Sequence, residues 1–413
     1  EEMKSLAFAI DKAGEGTLEI VSDWLDKEIE MSWMREYVEK SDCGLTVLQT
    51  SGDAVKTILF CEEQFLKGKN VRPQFPGRNV GMMFGLESSL HPFIGHPSYR
   101  EIADLPLSER VKIMKDPAFK EKLLNEKPNF ASEIEKSMNE QGNTKSQEEI
   151  KEAANLGLKL ISNYDTQFIL GDPPNYEPGK EDSIAALAKS KGIAELEVIY
   201  DEFLKNEGTN LVYACFTPYD NHKLDFVERA YSLKSSVAGG SDGGAHCGLI
   251  CDASMPTTNL SHWARDREAG KKIPIELIVR KQTKDTAETY GLFDRGEIKT
   301  GMLADLNIID FEKLNVTHPK MVYDLPLGGR RLIQTSSGYL ATVKSGEVVY
   351  EAGEATGVLP GKLIRGKQTC EVKTEKERVP FIDRTLRLMS VKAFKLLWNF
   401  RKSSVKTTVV SDD

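Results

Sequence analysis

At 413 residues, with 40% hydrophobic and 29% charged content, the chain is long enough to bury a substantial core. Its formal charge of −8 excludes the basic surface that nucleic-acid binding requires, so no nucleic-acid partner is expected. It contains no apolar run of about 18 residues that would span a bilayer.

The opening stretch EEMKSLAFAIDKAGEG has neither the basic start nor the apolar centre of a secretory signal. Six cysteines (Cys43, Cys61, Cys215, Cys247, Cys251 and Cys370) form no CxxC pair and read as reduced thiols in a cytoplasmic protein. Only Cys247-x3-Cys251 is close enough in sequence to clip a metal. Glu1 to Lys12 reads as an amphipathic helix with Met3, Leu6, Ala7 and Ile10 on one face, closed by Gly14 and Gly16. An apolar run, Leu18 to Val21, is followed by a helix over Trp24 to Lys40 and a second run, Leu45 to Leu48. Then come a helix over Asp53 to Lys67 and the run Val71 to Phe75. Strands alternating with helices of this length predict a parallel sheet with crossover helices. A helix standing first, with no strand before it, predicts a unit that is cut open.

Residues 86–210 break this rhythm and read as a helical insertion or lid. Within it, Leu105 to Gln147 is rich in Lys and Glu, as solvated helix faces are. The sheet pattern is expected to return at Leu211 to Phe216 and again at Ser236 to Asp242. A helix over Ile275 to Tyr290 precedes a β-rich end, with Asp305 to Asp310 and Ala341 to Tyr350 alternating at period two. In the tail, Ile382, Leu386, Met389, Ala393, Leu396, Leu397 and Phe400 recur at helical spacing among basic residues. This 381–402 helix either docks on the body of the protein or meets a membrane surface or partner groove.

The window richest in chemistry is Gly239-Gly-Ser-Asp-Gly-Gly-Ala-His-Cys-Gly248. Glycine density after a strand lets backbone approach a ligand closely. Asp242 at the carboxyl end of a barrel strand is placed to act as a general base, or else it caps the turn that follows it. His246, four residues on, is the best imidazole candidate for contact with substrate or metal. His91 and His96, in a proline-containing loop past the Val71 strand, either line the barrel mouth or anchor their loop. Arg265 either meets a carboxylate bidentately or pairs with a neighbouring acid such as Asp266. His222, His262 and His318 belong to no constellation and read as structural.

The stretch GGSDGGAHCGLICDASMPTTNLSHWARDR, followed by Gly291 to Asn307 with its G-x-I-x-x-G-x-x-A-D-L pattern, resembles the amidohydrolase superfamily and, within it, the N-acyl-D-amino-acid deacylases. The resemblance runs from about residue 1 to residue 366 and implies a (β/α)8 TIM-type barrel with a small β-sandwich. It divides the chain into a partial barrel at 1–290, a sandwich return at 291–366 and a tail at 367–413. It also implies metal-dependent hydrolysis of a non-peptide C–N bond in an N-acyl amino acid or related amide, with zinc or another divalent ion. Asp242 would be the catalytic carboxylate that takes a proton and hands it to the leaving amine. Gln49 stands near the sixth-strand ligand position, and Val21 or Ser22 near the fifth. The first-strand His-x-His pair of that family is absent, which predicts that the first half of the barrel lies upstream of Glu1. Where the family places its substrate-binding Arg in a His-Pro-Arg context, this loop reads His246-Cys247-Gly248. Two other readings stay open, a catalytically inactive scaffold and a hydrolase of cyclic amides or ureides. Oligomeric state is not assigned by the sequence.

Overall fold

The computed structural model describes residues 2–130 and 155–368, apart from residues 23, 25, 50–53, 156, 218 and 245. The expected 381–402 helix and the second half of the Lys/Glu-rich segment lie outside the described residues.

Helix α1 (Glu2–Ala13) packs through Ala7, with Met3 and Ile10 beside it, and leaves Leu6 exposed. The face expected from the sequence is therefore narrower than predicted. Strand β1 (Thr17–Ile20) leads into α2 (Lys27–Lys40), which starts later than its apolar pattern suggests. The reason is a cap: the Asp26 carboxylate accepts the Glu28 and Ile29 N–H groups and fixes the first turn there. Strand β2 (Gly44–Leu48), α3 (Val55–Leu66) and β3 (Val71–Pro76) complete the first run. β1, β2 and β3 pair in parallel, Leu18 opposite Leu45 and Leu45 opposite Val71. Every residue of β3 is buried, as in a parallel strand covered on both faces.

The insertion begins at β4 (Val80–Phe84) and carries α4 (Pro97–Arg100), α5 (Leu107–Met114) and α6 (Pro117–Asn125). It returns through β5 (Gln167–Ile169), α7 (Ile184–Lys191), α8 (Glu195–Phe203) and β6 (Val212–Thr217). β6 is antiparallel to both β4 and β5. Leu211 to Phe216 is thus not a return to the parallel sheet, as the sequence pattern suggested, but the middle strand of the insertion's own sheet. A short apolar run does not distinguish a parallel from an antiparallel buried strand. The segment between β3 and β7 that carries this separate sheet runs from β4 to β6, residues 80–217. Its core gathers Phe84, Phe93, Tyr99, Ile199, Tyr200 and Phe203.

The chain rejoins the main sheet through α9 (Asp225–Ser232) and β7 (Val237–Gly239), which pairs in parallel with β3, Gln74 opposite Val237. The strand order is β1-β2-β3-β7. Among the described residues the sheet has four strands, with β1 and β7 as its edges. Next come α10 (Met255–Thr258), a π-helix (Asn259–Asp266), α11 (Ile275–Gln282) and α12 (Lys284–Thr289). The single helix expected over 275–290 breaks at Thr283, whose φ of −121° and ψ of −83° are non-helical. Lys281, buried on α11, donates to the carbonyls of Leu233 and Ser236 and ties this pair of helices to the foot of β7.

The remainder is antiparallel: β8 (Leu306–Ile309), β9 (Asn315–Val316), β10 (Lys320–Leu325), β11 (Gly329–Ile333), β12 (Ser336–Ser337), β13 (Tyr339–Lys344), β14 (Glu347–Glu351) and β15 (Glu354–Ala355). One sheet has the order β15-β14-β13-β8, and β10–β11 and β9–β12 form two-stranded ribbons. No described helix is long and apolar enough to cross a membrane.

Candidate active site

Sites in folds built from parallel strands collect at the carboxyl ends of those strands. Here the ends of β2, β3 and β7 present Gln49, the Gly77-Arg78-Asn79 turn and the Gly240–Gly248 loop. Asp242 lies three residues beyond β7, exposed, with a positive φ of 33°. No described residue hydrogen-bonds or ion-pairs with its carboxylate. His246 shares the loop and is also exposed, and its carbonyl accepts the N–H groups of Leu249 and Ile250 at 2.8 and 2.9 Å.

Three successive carbonyls hold the loop to its surroundings. Leu332 of β11 donates to Cys247 at 2.7 Å, Ser89 to Gly248 at 2.9 Å and Met83 of β4 to Leu249 at 2.7 Å. A Cβ at Gly248 would stand 2.3 Å from Ser89 Oγ, so the Ser89 hydroxyl would have to turn away to admit a side chain there.

Beneath the loop lies a buried ion pair. Arg78 and Asp252 are fully and almost fully buried, with Nη2 3.2 Å from Oδ1. Arg78 Nη2 also donates to the Cys251 carbonyl at 2.9 Å. The Tyr176 ring lies 3.6 Å from the guanidinium carbon, and Arg78 Nη1 reaches the Tyr213 hydroxyl at 3.4 Å. Burial pushes the Asp252 carboxyl up to about 6; Arg78 opposes the shift and Asp242 adds to it. Asp252 Oδ1 has no hydrogen-bond partner among the described residues, so its 3.2 Å contact with Arg78 Nη2 is an ion contact off hydrogen-bond geometry, and Arg78 Nε is likewise without a hydrogen bond. Sequence reasoning missed both residues. The available signal was Asp252 itself, the lone Asp, Glu, Lys or Arg between Asp242 and Arg265.

Other candidates are engaged elsewhere. His91 is buried in the insertion core, its ring 4.8 Å from that of Tyr99, with Nδ1 accepting the Phe93 N–H. Burial, with Arg110 and Arg330 nearby, pushes it down to about 3, so it is a neutral core group. His96 is buried too, with Nδ1 3.0 Å from the Leu123 carbonyl. Both are loop anchors, because a proline-containing loop does not reveal that it folds under an aromatic cluster. Arg265 chelates Asp266 and donates to the carbonyls of Phe311 and Leu314, tying the π-helix to the next segment. Its guanidinium is consumed by that role.

A second buried network stands behind the loop. Glu177 accepts from Arg267 Nε and Nη2, both at 3.0 Å, and from the Leu224 N–H at 3.1 Å, with His262 Nε2 at 2.8 Å. His262 was read as solitary because its partner lies 85 residues away.

Metal ligation is testable against these positions. Among the described residues no group of three or more His, Cys, Asp or Glu is placed to hold an ion. Gln49, buried with Oε1 lacking a hydrogen-bond partner, presents only a neutral amide oxygen. Cys251 is buried, its thiol pushed up to about 11 by burial, and the Cys247 thiol lies 3.0 Å from the Gly244 carbonyl. The described residues by themselves do not compose a metal centre.

Residues 175–350 match the model of the amidohydrolase family. The match covers 176 of the 413 residues, less than half of the chain. The matched segment contains the Asp242 loop, Asp252, Arg265 and the Glu177 network, whereas Gln49, Arg78, His91 and His96 lie outside it. The chain is similar to the solved structure of a D-aminoacylase with a binuclear metal centre, at 15% identity and TM-score 0.44, over 87% of this chain and 57% of that one. It is also similar to an N-acyl-D-glutamate deacylase from Bordetella bronchiseptica, complexed with zinc and a phosphonate inhibitor. That likeness has 14% identity and TM-score 0.41, over 90% of this chain and 59% of that one. The chain thus spans less than two thirds of the length of these structures. No curated protein matches it at a significant level.

Proposed function

We propose that the protein hydrolyses a non-peptide C–N bond in a small amide, an N-acyl amino acid foremost, with Asp242 as its proton-transfer carboxylate. The observation that carries this reading is an exposed, unpartnered Asp just beyond a parallel strand's carboxyl end, inside the segment that matches the amidohydrolase family. Amide hydrolysis needs a proton taken from the attacking water and a proton delivered to the leaving amine. One carboxylate does both in sequence. The glycines at 239, 240, 243 and 244 let a substrate reach the backbone around it. His246, exposed in the same loop, is the substrate-contact residue of this reading. A divalent metal, zinc first, belongs to this reading through the family match, and none of the described residues is assigned as its ligand. On the same reading residues 1–290 form part of a barrel and 291–366 a sandwich return.

The test uses the whole polypeptide that carries this chain. Bound metal is measured by elemental analysis, and turnover is followed on N-acetyl-D- and N-acetyl-L-amino acids with cyclic amides alongside. Asp242→Asn should lose about 10²–10⁴-fold in turnover with metal content unchanged. Equal turnover in the Asn variant would remove Asp242 from the chemistry. A folded, metal-free and inactive protein would leave the scaffold reading in place.

A further inference from the structure

The loop that carries Asp242 leaves β7 at Gly239 and must return to α10 at Met255. Glycine at four of the six positions 239–244 gives the outward half little stiffness of its own. The return half is fastened at one place in the main sheet, the end of β3. Arg78 grips it twice there, through the Cys251 carbonyl at 2.9 Å and the Asp252 carboxylate at 3.2 Å. Arg78 is itself held on two sides by the Tyr176 ring and the Tyr213 hydroxyl. Tyr213 in turn donates to Asn79 Oδ1 and to its carbonyl oxygen at 2.9 and 2.8 Å, so the support runs back into the same turn.

We propose that Arg78 and Asp252 form a clamp that positions the Asp242 loop over the end of β3, and that the grip depends on the charge of Asp252. Stability alone does not explain the pair. Withdrawing two charges from water costs several kcal/mol, and well-packed apolar residues of similar volume would serve as well or better. The pair also leaves Arg78 Nε and Asp252 Oδ1 without hydrogen bonds, so it is not the best-satisfied arrangement available. What it supplies is a fixed attachment that can be released by one proton. The titratable and charged groups facing Asp252 are Arg78 from the β3 turn, Asp242 from its own loop, Cys251 beside it, and Tyr176 and Tyr213 packed around Arg78. Arg78 is the one cation paired with it among the described residues. Burial holds the Asp252 carboxyl near 6, so acidification below neutrality neutralises it and leaves the Cys251 carbonyl as the one hold of Arg78 on the loop. The catalytic consequence rests on the proposed role of Asp242; the mechanical consequence does not.

The experiment is amide hydrogen exchange over residues 240–254 in the whole polypeptide between pH 5 and 8, normalised to intrinsic exchange. Wild type, Asp252→Asn, Asp252→Glu and Arg78→Lys are compared, with kcat and KM followed in parallel. In wild type, protection of 240–254 should rise with pH around a midpoint near 6. In Asp252→Asn it should be low and flat, and Asp252→Glu should restore the dependence in part. Turnover in the Asn variant should fall by about 10²-fold through kcat rather than KM, as expected for a misplaced catalytic group. Protection that is flat in wild type, or identical in the Asn variant, overturns the clamp. A clear exchange transition with kcat unchanged in the Asn variant overturns its positioning role. If Asp252→Asn does not fold, the wild-type titration and Arg78→Lys decide the matter. If no form turns over substrate, the hydrolase reading fails while exchange still judges the clamp.

Discussion

Replacing Glu177 with Gln tests the ion network behind the loop. The wild-type carboxylate meets four donors and is nearly inaccessible, so each contact is made in a low-dielectric setting. Burial alone would raise its pKa, yet the bonds from His262 and Arg267 outweigh burial and bring it from 4.5 to about 2. That difference corresponds to about 3 kcal/mol, at the lower edge of the roughly 3–5 kcal/mol lost when one partner of a buried pair is removed. Arg267 would remain buried over Trp263 with Glu228 at 2.5 Å and the more distant Asp225 at 3.9 Å to balance it. At about 2–4 °C per kcal/mol, Glu177→Gln should melt roughly 6–12 °C below wild type near neutral pH. The pH dependence has a definite sign. A carboxylate depressed by folding contributes its full stability above its unfolded value and loses that contribution as pH falls toward its folded value. The deficit of the Gln variant should therefore be constant above about pH 5 and shrink as pH falls toward about 2. Urea titrations of both proteins at pH 7, 4.5 and 3 measure it. A deficit below about 1 kcal/mol at pH 7, or one that persists unchanged at pH 3, would refute the reasoning.

Other perturbations have equally direct readouts. Gly77→Ala would place a Cβ 1.8 Å from Asn259 Oδ1, so it should cost about 1–3 kcal/mol by thermal melting, and Asn259→Gly should relieve it. His91→Leu should lose the ring contacts with Tyr99 and Phe203 near neutral pH. The folded protein keeps His91 neutral down to about pH 3 while the unfolded chain takes the proton near 6.5. Acid therefore favours unfolding of the wild type, and its advantage over the Leu variant should shrink by up to about 1.4 kcal/mol per pH unit below 6.5. An advantage independent of pH in urea titrations would mean that His91 is not a buried neutral group.

The first three strands and their helices were legible because apolar runs separated by amphipathic segments carry the parallel pattern in their order alone. The limits were set by tertiary partners. β6 has the same local signature as β3, and only the pairing of Tyr213 with Met83 and Phe168 makes it antiparallel. The break at Thr283 interrupts a stretch of good helix formers with no proline or glycine to announce it. At the site, the Asp242 loop was legible from its glycines. The clamp beneath it was not, because Arg78 reaches Cys251 across 173 residues of sequence. Whether His91 and His96 line the barrel mouth or anchor their loop stayed open for the same reason: a histidine under an aromatic cluster and one at a pocket mouth share a local sequence.

The three carbonyls of Cys247, Gly248 and Leu249 answer to three different donors, one in a C-terminal ribbon and two in the insertion. Such fastening uses backbone rather than side chains, so it constrains the count of residues more than their identity. Most substitutions in this stretch would leave the attachments intact, one at Gly248 requiring the Ser89 hydroxyl to move. Adding or removing a single residue would put every later carbonyl out of step with its donor at once. Variation in such a loop can therefore proceed by exchange of side chains but not by change of length, which leaves room for altered selectivity on a frame that does not move.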